Sequence, residues 1–307
     1  MLNTLQRHSH FSPQRLLLGL LFSTIISTLA YRRRSLSRSG IAGSIITGTI
    51  TFGLGGWEWG LSLIFFFISS SLLSHFRAPV KAQTAADKFS KGNQRDIGQV
   101  AANGGIATLL ALGYGLASSR PLQDLFQAGY TGALATATAD TWATEIGTLS
   151  PQAPRLITSG QPVASGTSGG ITPLGTSAAT LGALALGLVF WLLQEGRKVT
   201  KETSRIAPRY LPLLGLIGGL TGSFTDSLLG ATFQVMYYCP TCQKETERAI
   251  HNCGTRTQPL RGLPWLNNDA VNFVATLCGA LTAMGLHLLE KSLTVTQIKI
   301  AAICYPF

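Results

Sequence analysis

Charge is scarce in this sequence. Of its 307 residues 12% are charged and 13 are acidic, while 46% are hydrophobic. A soluble domain carries about 25% charged residues, so a water-exposed globular fold is excluded and a polytopic membrane protein is expected. No seven-residue repeat and no long low-complexity tract is present, which excludes an extended coiled coil. The pattern GxxxxGK[ST] is also missing, which excludes a Walker A loop. The 24 Lys and Arg residues give a net charge of +11. They cluster between apolar segments, as the loops of a positive-inside topology do, and this argues against nucleic acid as a partner.

What is present is a series of apolar segments near 20 residues, the length of a membrane-spanning helix. They cover Leu16–Tyr31, Gly40–Gly56, Trp59–Phe76, Ile97–Ala117, Leu125–Ile146, Gly175–Leu193, Leu211–Gly230 and Asp269–Leu289. The expected fold is an all-α bundle of about eight spanning helices. Several segments are rich in Gly and Ala, which lets helix backbones approach closely in lipid. Arg32, Arg33, Arg34 and Arg38 follow the first segment directly, the flank of a retained helix rather than of a cleaved signal peptide. The same cluster predicts that this end of the bundle is cytoplasmic. The loops 77–95, 147–172 and 231–268 then share that side, and the basic stretch Glu195–Arg209 falls on the other. Trp57, Trp59, Trp191 and Trp265 fall near helix ends and read as an interfacial belt. Trp142 sits among the carboxylates and is left between a cavity wall and plain packing.

The unusual polar residues also share the predicted cytoplasmic side. Asp140 and Glu145 lie near the inner end of the fifth segment, Asp226 near that of the seventh, and Asn103 one or two turns inside the fourth; Asn268, Asp269 and Asn272 open the eighth. Ionisable groups within spanning helices cost several kcal/mol and mark a polar cavity. Asp140, Glu145, Asp226 and Asp269 are therefore the expected catalytic carboxylates. Asp140, Asp226 and Asp269 come from three helices and are the expected ligands of Mg²⁺, which takes a few carboxylates together with waters and phosphate oxygens. The alternative for Asp269 is a helix-start residue stabilised by the dipole. Asp140 and Glu145 stand roughly 140° apart around a helix, so they have different duties. Lys88, Lys91, Arg95 and Gln99, at i, i+3, i+7 and i+11, form one stripe if helical and would suit phosphate; the alternative is a basic anchor on a solvated face.

Two loops add to this. SGTSGGITPLGTS, residues 165 to 177, precedes a helix start, and the backbone N–H groups of Gly169 and Gly170 are candidates for holding an anion. YYCPTCQKETERAIHNCGT, residues 237 to 255, carries Cys239, Cys242, His251 and Cys253, four donors suited to a closed structural Zn²⁺ site. A disulfide is the alternative, disfavoured on a cytoplasmic loop. Cys278 and Cys304 read as buried small residues.

ADTWATEIG, GTSGGITPLG, FTDSLLGATFQ and WLNNDAVNF, with KFSKGNQRDIGQVAANGG before them, resemble the integral membrane family of domain of unknown function 92. That family includes transmembrane protein 19 and a chloroplast phytyl-phosphate kinase. The resemblance spans about residues 35 to 290, the expected membrane-embedded catalytic domain with the 237–262 Cys/His loop inside it. Residues 1–34 then form an anchor helix, and the tail after 291 carries no assignment. The resemblance implies a phosphotransferase that converts phytyl monophosphate to the diphosphate for tocopherol and phylloquinone synthesis. Its expected partners are a prenyl phosphate, membrane lipid and a nucleoside triphosphate such as CTP, at a plasma or thylakoid-type membrane. Lys88, Lys91 and Arg95 would hold terminal phosphates, and Asn103, Asn268 and Asn272 would donate hydrogen bonds. A transporter and a lipid cytidylyltransferase are the competing readings of the same polar cluster.

Overall fold

In the computed structural model, which describes residues 12–85, 94–198 and 208–304, each of the eight apolar segments is helical. These helices are α1 (Pro13–Arg32), α2 (Arg38–Ile50), α3 (Trp57–His75), α5 (Ile97–Leu116), α6 (Arg120–Gly147), α7 (Pro173–Lys198), α8 (Leu211–Thr232) and α9 (Asn268–Cys304). A short helix, α4 (Ala78–Ala85), lies between α3 and α5. Helices α1, α3, α7, α8 and residues 268–293 of α9 are long and apolar enough to cross a membrane by length and composition. A π-helical turn, Thr51–Gly55, extends α2, and Gly56 at φ 101° turns the chain into α3.

The helix starts follow local chemistry. Ser37 caps α2 by accepting from Gly40 N at 3.2 Å. Asp96 and Gln99 form a reciprocal capping box on α5. Thr172 Oγ1 accepts from Gly175 N at 2.9 Å, with Pro173 as the first residue of α7. Asn267 caps α9 by accepting from Ala270 N at 3.0 Å.

Helix α6 is the centre of the bundle. Every residue from Gln127 to Ala139 is buried, enclosed by α3, α5, α7, α8 and α9. Its threonines return their hydroxyls to their own helix: Thr131, Thr136, Thr138 and Thr141 each donate to the carbonyl four residues back, at 2.7–2.9 Å. Such a helix meets lipid-grade surroundings on all sides without an unpaired donor. Trp59 corrects the expected aromatic belt. It is 1% exposed and stacks on Tyr130 with ring centres 4.2 Å apart, while its carbonyl accepts the Tyr130 hydroxyl at 2.7 Å. Trp57 and Trp265 are exposed. Trp142 packs between α3 and α7, donating to Ser69 Oγ at 3.3 Å and lying against Gly182.

Two small β elements stand at one end of the bundle. β1 (Arg155–Leu156) and β2 (Gly170–Ile171) pair antiparallel in the α6–α7 loop. β3 (Met236–Cys239), β4 (Lys244–Thr246) and β5 (Gln258–Arg261) form a three-stranded antiparallel sheet in the order β4–β3–β5. Arg261 fastens that sheet to the bundle by donating to Gly230 O and Ala231 O at 2.9 and 2.8 Å.

Candidate functional site

The site begins at a helix crossing. A methyl group on Gly222 of α8 would lie 2.2 Å from Thr136 Oγ1 of α6, and one on Gly279 of α9 would lie 2.0 Å from the same oxygen. Thr136 in turn donates to Gly132 O at 2.9 Å and Gly218 O at 3.2 Å. Residues four apart share a helix face. Asp140 is four beyond Thr136 and Asp226 four beyond Gly222, so the contact that brings the helices together sends both carboxylates into one space. That space is a polar cavity of about 490 Å³, lined by both aspartates.

A third carboxylate comes from outside the helices. Glu247, in the segment after β4, also lines the cavity, and Asp226 lies in the electrostatic field of both Asp140 and Glu247. Asp226 Oδ2 is buried without a hydrogen-bond partner among the described residues. Gln234 holds Glu247 in place. Its Nε2 donates to Glu247 Oε1 at 2.9 Å, and its Oε1 accepts from Ser168 Oγ at 2.8 Å, which joins the sheet to the glycine-rich loop. Nothing in the sequence singled out Glu247 or Gln234. A carboxylate in the hydrophilic run QKETERAIHN is ordinary, whereas one inside an apolar helix is not.

Asp269 does not line the cavity, while Asn268 and Asn272, one helical turn apart, both do. Asp269 occupies the first turn of α9, where the helix dipole favours a carboxylate. Among the described residues, Asp140, Asp226 and Asp269 do not form a group with all donor oxygens within 4.8 Å of one another.

The basic side is assembled differently from the expected stripe. Arg95 precedes α5 and pairs in extended conformation with residues 35–37: its N–H donates to Ser35 O and its carbonyl accepts from Ser37 N, both at 3.0 Å. The capping box at Asp96 starts the helix after it, so no continuous helix carries Arg95 and Gln99 as one face. Lys88 and Lys91 lie outside the described residues. Arg95 lies over the rings of Phe66 and Phe67, 5.8 and 5.6 Å from their centres, and donates to Ser71 Oγ at 3.3 Å. It lines the cavity with Gln99 and Asn103. Glu145 is bound by neighbours. Lys81 of α4 pairs with it, and Ser74 Oγ donates to it at 2.5 Å. The same lysine caps the end of α3 through Leu73 O and Ser74 O, at 2.7 and 3.0 Å, so Glu145, which lines the cavity, ties α3, α4 and α6 together at its wall.

The glycine-rich loop forms the roof. Residues Ser165–Thr172 line the cavity. Gly169 adopts φ 80°, and a side chain there would stand 2.5 Å from Ala231 Cβ at the end of α8, so only glycine lets loop and helix meet. The Gly170 N–H already donates to Thr167 O at 2.9 Å.

Next to the roof, Cys239, Cys242, His251 and Cys253 place their donor atoms within 4.8 Å of one another, a possible metal-binding cluster. The cysteines are free thiols. Thr255 and the His251 ring bring the Cys253 thiol down to about 6, and hydrogen bonding to Cys253 pushes Cys242 up to about 11. Cys278 is half-buried in α9, and the Cys304 side chain lies outside the described residues.

Comparison with known proteins agrees with this architecture. A family model described as integral membrane protein DUF92 matches residues 21–280. Protein PGR of Arabidopsis thaliana is 34% identical over 279 residues, covering 87% of this chain and 94% of its own length. An uncharacterized membrane protein of Methanocaldococcus jannaschii is 31% identical over 271 residues, covering 87% and 92%. Protein VTE6, chloroplastic, also of Arabidopsis thaliana, is 26% identical over 252 residues, covering 81% and 64%. No solved structure matches. With the family model spanning most of the bundle and the two helices, α6 and α8, that carry the cavity aspartates, the chain belongs to the DUF92 family of integral membrane proteins.

Proposed function

We propose that this protein is a membrane phosphotransferase that moves the terminal phosphoryl group of a nucleoside triphosphate, CTP foremost, onto a prenyl monophosphate such as phytyl phosphate. One observation carries the reading. The polar cavity shares Arg95, Gln99 and Asn103 with an apolar cleft of about 100 Å³ between α1, α2, α3 and α5, lined by Phe22, Ile26, Leu36, Phe52, Leu63 and Phe67 among others. A ligand with an anionic head and an isoprenoid tail matches that pair of spaces. The cleft suits the isoprene unit nearest the phosphate and leaves the rest of the tail to lipid. The resemblance to a phytyl-phosphate kinase supports the same substrate class, and with it a cytoplasmic or stromal site feeding tocopherol and phylloquinone synthesis.

The acceptor is already an anion and needs no strong base. Its phosphate oxygen attacks the γ-phosphorus, a new P–O bond forms, and the bond to the β–γ bridging oxygen breaks to release the nucleoside diphosphate. Catalysis is then positioning and neutralisation of charge. Asp140, Asp226 and Glu247, whose donor oxygens do not all lie within 4.8 Å of one another, would hold Mg²⁺ together with waters, the buried Asp226 Oδ2 lying without a partner in the field of the two other carboxylates. Bound there, Mg²⁺ would supply positive charge that offsets the charge of the phosphates. Arg95 holds the acceptor phosphate at the mouth of the cleft, and Asn103, Asn268 and Asn272 donate to phosphate oxygens. Lys81 and Ser74 keep Glu145 bound, so it shapes the wall and does not compete for the ion.

The test is an assay of purified protein with phytyl and geranylgeranyl phosphates, Mg²⁺ and each of the four triphosphates. Prenyl diphosphate should accumulate with at least one pair. Folded protein that gives none with any pair overturns the proposal.

A further inference from the structure

The Cys/His cluster encloses part of the cavity wall. β3 ends at Cys239, and Cys242 follows in the turn to β4. Gln243 adopts φ 54° and donates its N–H to Cys239 O at 2.8 Å, which doubles the chain back with both thiols on one side. His251 and Cys253 come from a second turn, closed by the Ile250–Arg256 bridge and by His251 N donating to Thr255 O at 3.0 Å. Cys239 and Cys253 bring their sulfurs to 3.6 Å, and His251 Nδ1 stands 3.2 Å from Cys253 Sγ. Tetrahedral zinc with Zn–S near 2.3 Å separates its sulfurs by about 3.8 Å, whereas a disulfide needs about 2.05 Å. His251 Nε2 is buried and has no hydrogen-bond partner among the described residues, so the ring is fixed from the side that faces the sulfurs.

Between the second ligand and the fourth lie Glu247, Arg248 and Asn252, and all three line the polar cavity. We propose that one zinc ion, bound by Cys239, Cys242, His251 and Cys253, clamps this loop and thereby holds Glu247, Arg248 and Asn252 in the cavity wall. The insert is too small to supply a hydrophobic core of its own, so metal binding supplies its folding free energy. The influence reaches further through Gln234, which bonds Glu247 on one side and Ser168 of the glycine-rich loop on the other. The ion touches none of the cavity and acts by positioning. The inference goes beyond the phosphotransferase reading and holds for any ligand of the cavity.

The experiment uses full-length protein in detergent or nanodiscs under reducing conditions, with zinc measured by mass spectrometry and order read by hydrogen–deuterium exchange. The parent should carry one zinc per chain, and Cys239→Ser should lose it. Stripping the parent with a chelator should speed exchange in residues 244–257 by about tenfold or more, with a smaller rise in 165–170 and none in α5 or α6. Adding zinc back should reverse the change, which separates loss of the clamp from general unfolding of a variant. Reduced, folded protein without zinc overturns the metal assignment. Zinc that can be removed without changing exchange in 244–257 overturns its role in the cavity wall. Neither measurement depends on prenyl phosphate turnover, so failure here and failure of the phosphotransferase reading are distinguishable.

Discussion

Two walls of the cavity are held by different physics. Asp140 and Asp226 stand on helices whose crossing at Thr136, Gly222 and Gly279 leaves no room for a methyl group. Their placement follows from the close approach of the helices at that crossing. Glu247 stands just after β4 of a sheet of three short strands, bonded to Gln234, with Arg261 fastening the sheet to the bundle and the Cys/His cluster closing the turns beside it. The helix wall is rigid because small residues let van der Waals contact run along whole helices. The insert wall is local and depends on a few polar bonds. On the proposed function, a site with one wall set by helix packing and one held by a few polar bonds would admit a nucleotide and still present preset carboxylates.

The largest effect should come from the helix wall. Asp226→Asn keeps the shape and removes the charge at the orphaned oxygen. Prenyl phosphate turnover should fall by about 10³-fold or more, with helical circular dichroism unchanged. Turnover within tenfold of the parent would show that the metal-bearing carboxylates are elsewhere.

The contrast also predicts how the helix wall breaks. The three atoms nearest a methyl group on Gly222 all belong to the Thr136 side chain, while one on Gly279 meets Thr136 and also the Gly218 carbonyl, at 2.7 Å. Each should cost about 1–3 kcal/mol, read as a lowered thermal midpoint in detergent. Adding Thr136→Ala should restore much of the loss for Gly222→Ala and little for Gly279→Ala, because a side chain can be removed and a backbone carbonyl cannot. Equal rescue of both would mean that the crossing is looser than its contacts indicate.

The same contrast explains what the sequence could reveal. Carboxylates are rare in apolar helices, so Asp140 and Asp226 stood out by their cost. The asparagines at the start of α9 stood out with them, and the eight helices followed from hydropathy. Glu247 was hidden because its neighbours are all hydrophilic and its importance comes from long-range packing. Arg95 was recognised as a phosphate candidate, but its place on a helical stripe failed. Asp96 caps a helix that starts at Ile97, where the apolar segment also begins, and Arg95 before it takes an extended pairing with residues 35–37. Trp59 misled because an aromatic near a helix end looks the same whether it faces the interface or the core. Tyr130 and Phe190, distant in sequence, decided that it is core.

The smallest effect should appear where the two walls meet, at the start of α9. Asp269 opens the eighth segment and brings a carboxylate from a third helix, which made it an expected Mg²⁺ ligand. It lies outside the cavity lining, one residue beyond Asn268. Asp269 is half-buried in that first turn, where a carboxylate contributes through the dipole about 0.3–2 kcal/mol. Asp269→Asn should therefore shift the thermal midpoint slightly and leave prenyl phosphate turnover within about twofold, whereas Asn272→Ala should raise the KM for the nucleotide. A loss of turnover in Asp269→Asn comparable to that in Asp226→Asn would move the ion toward α9. Glu247 would then be a wall residue, and the insert would frame the site without supplying its chemistry.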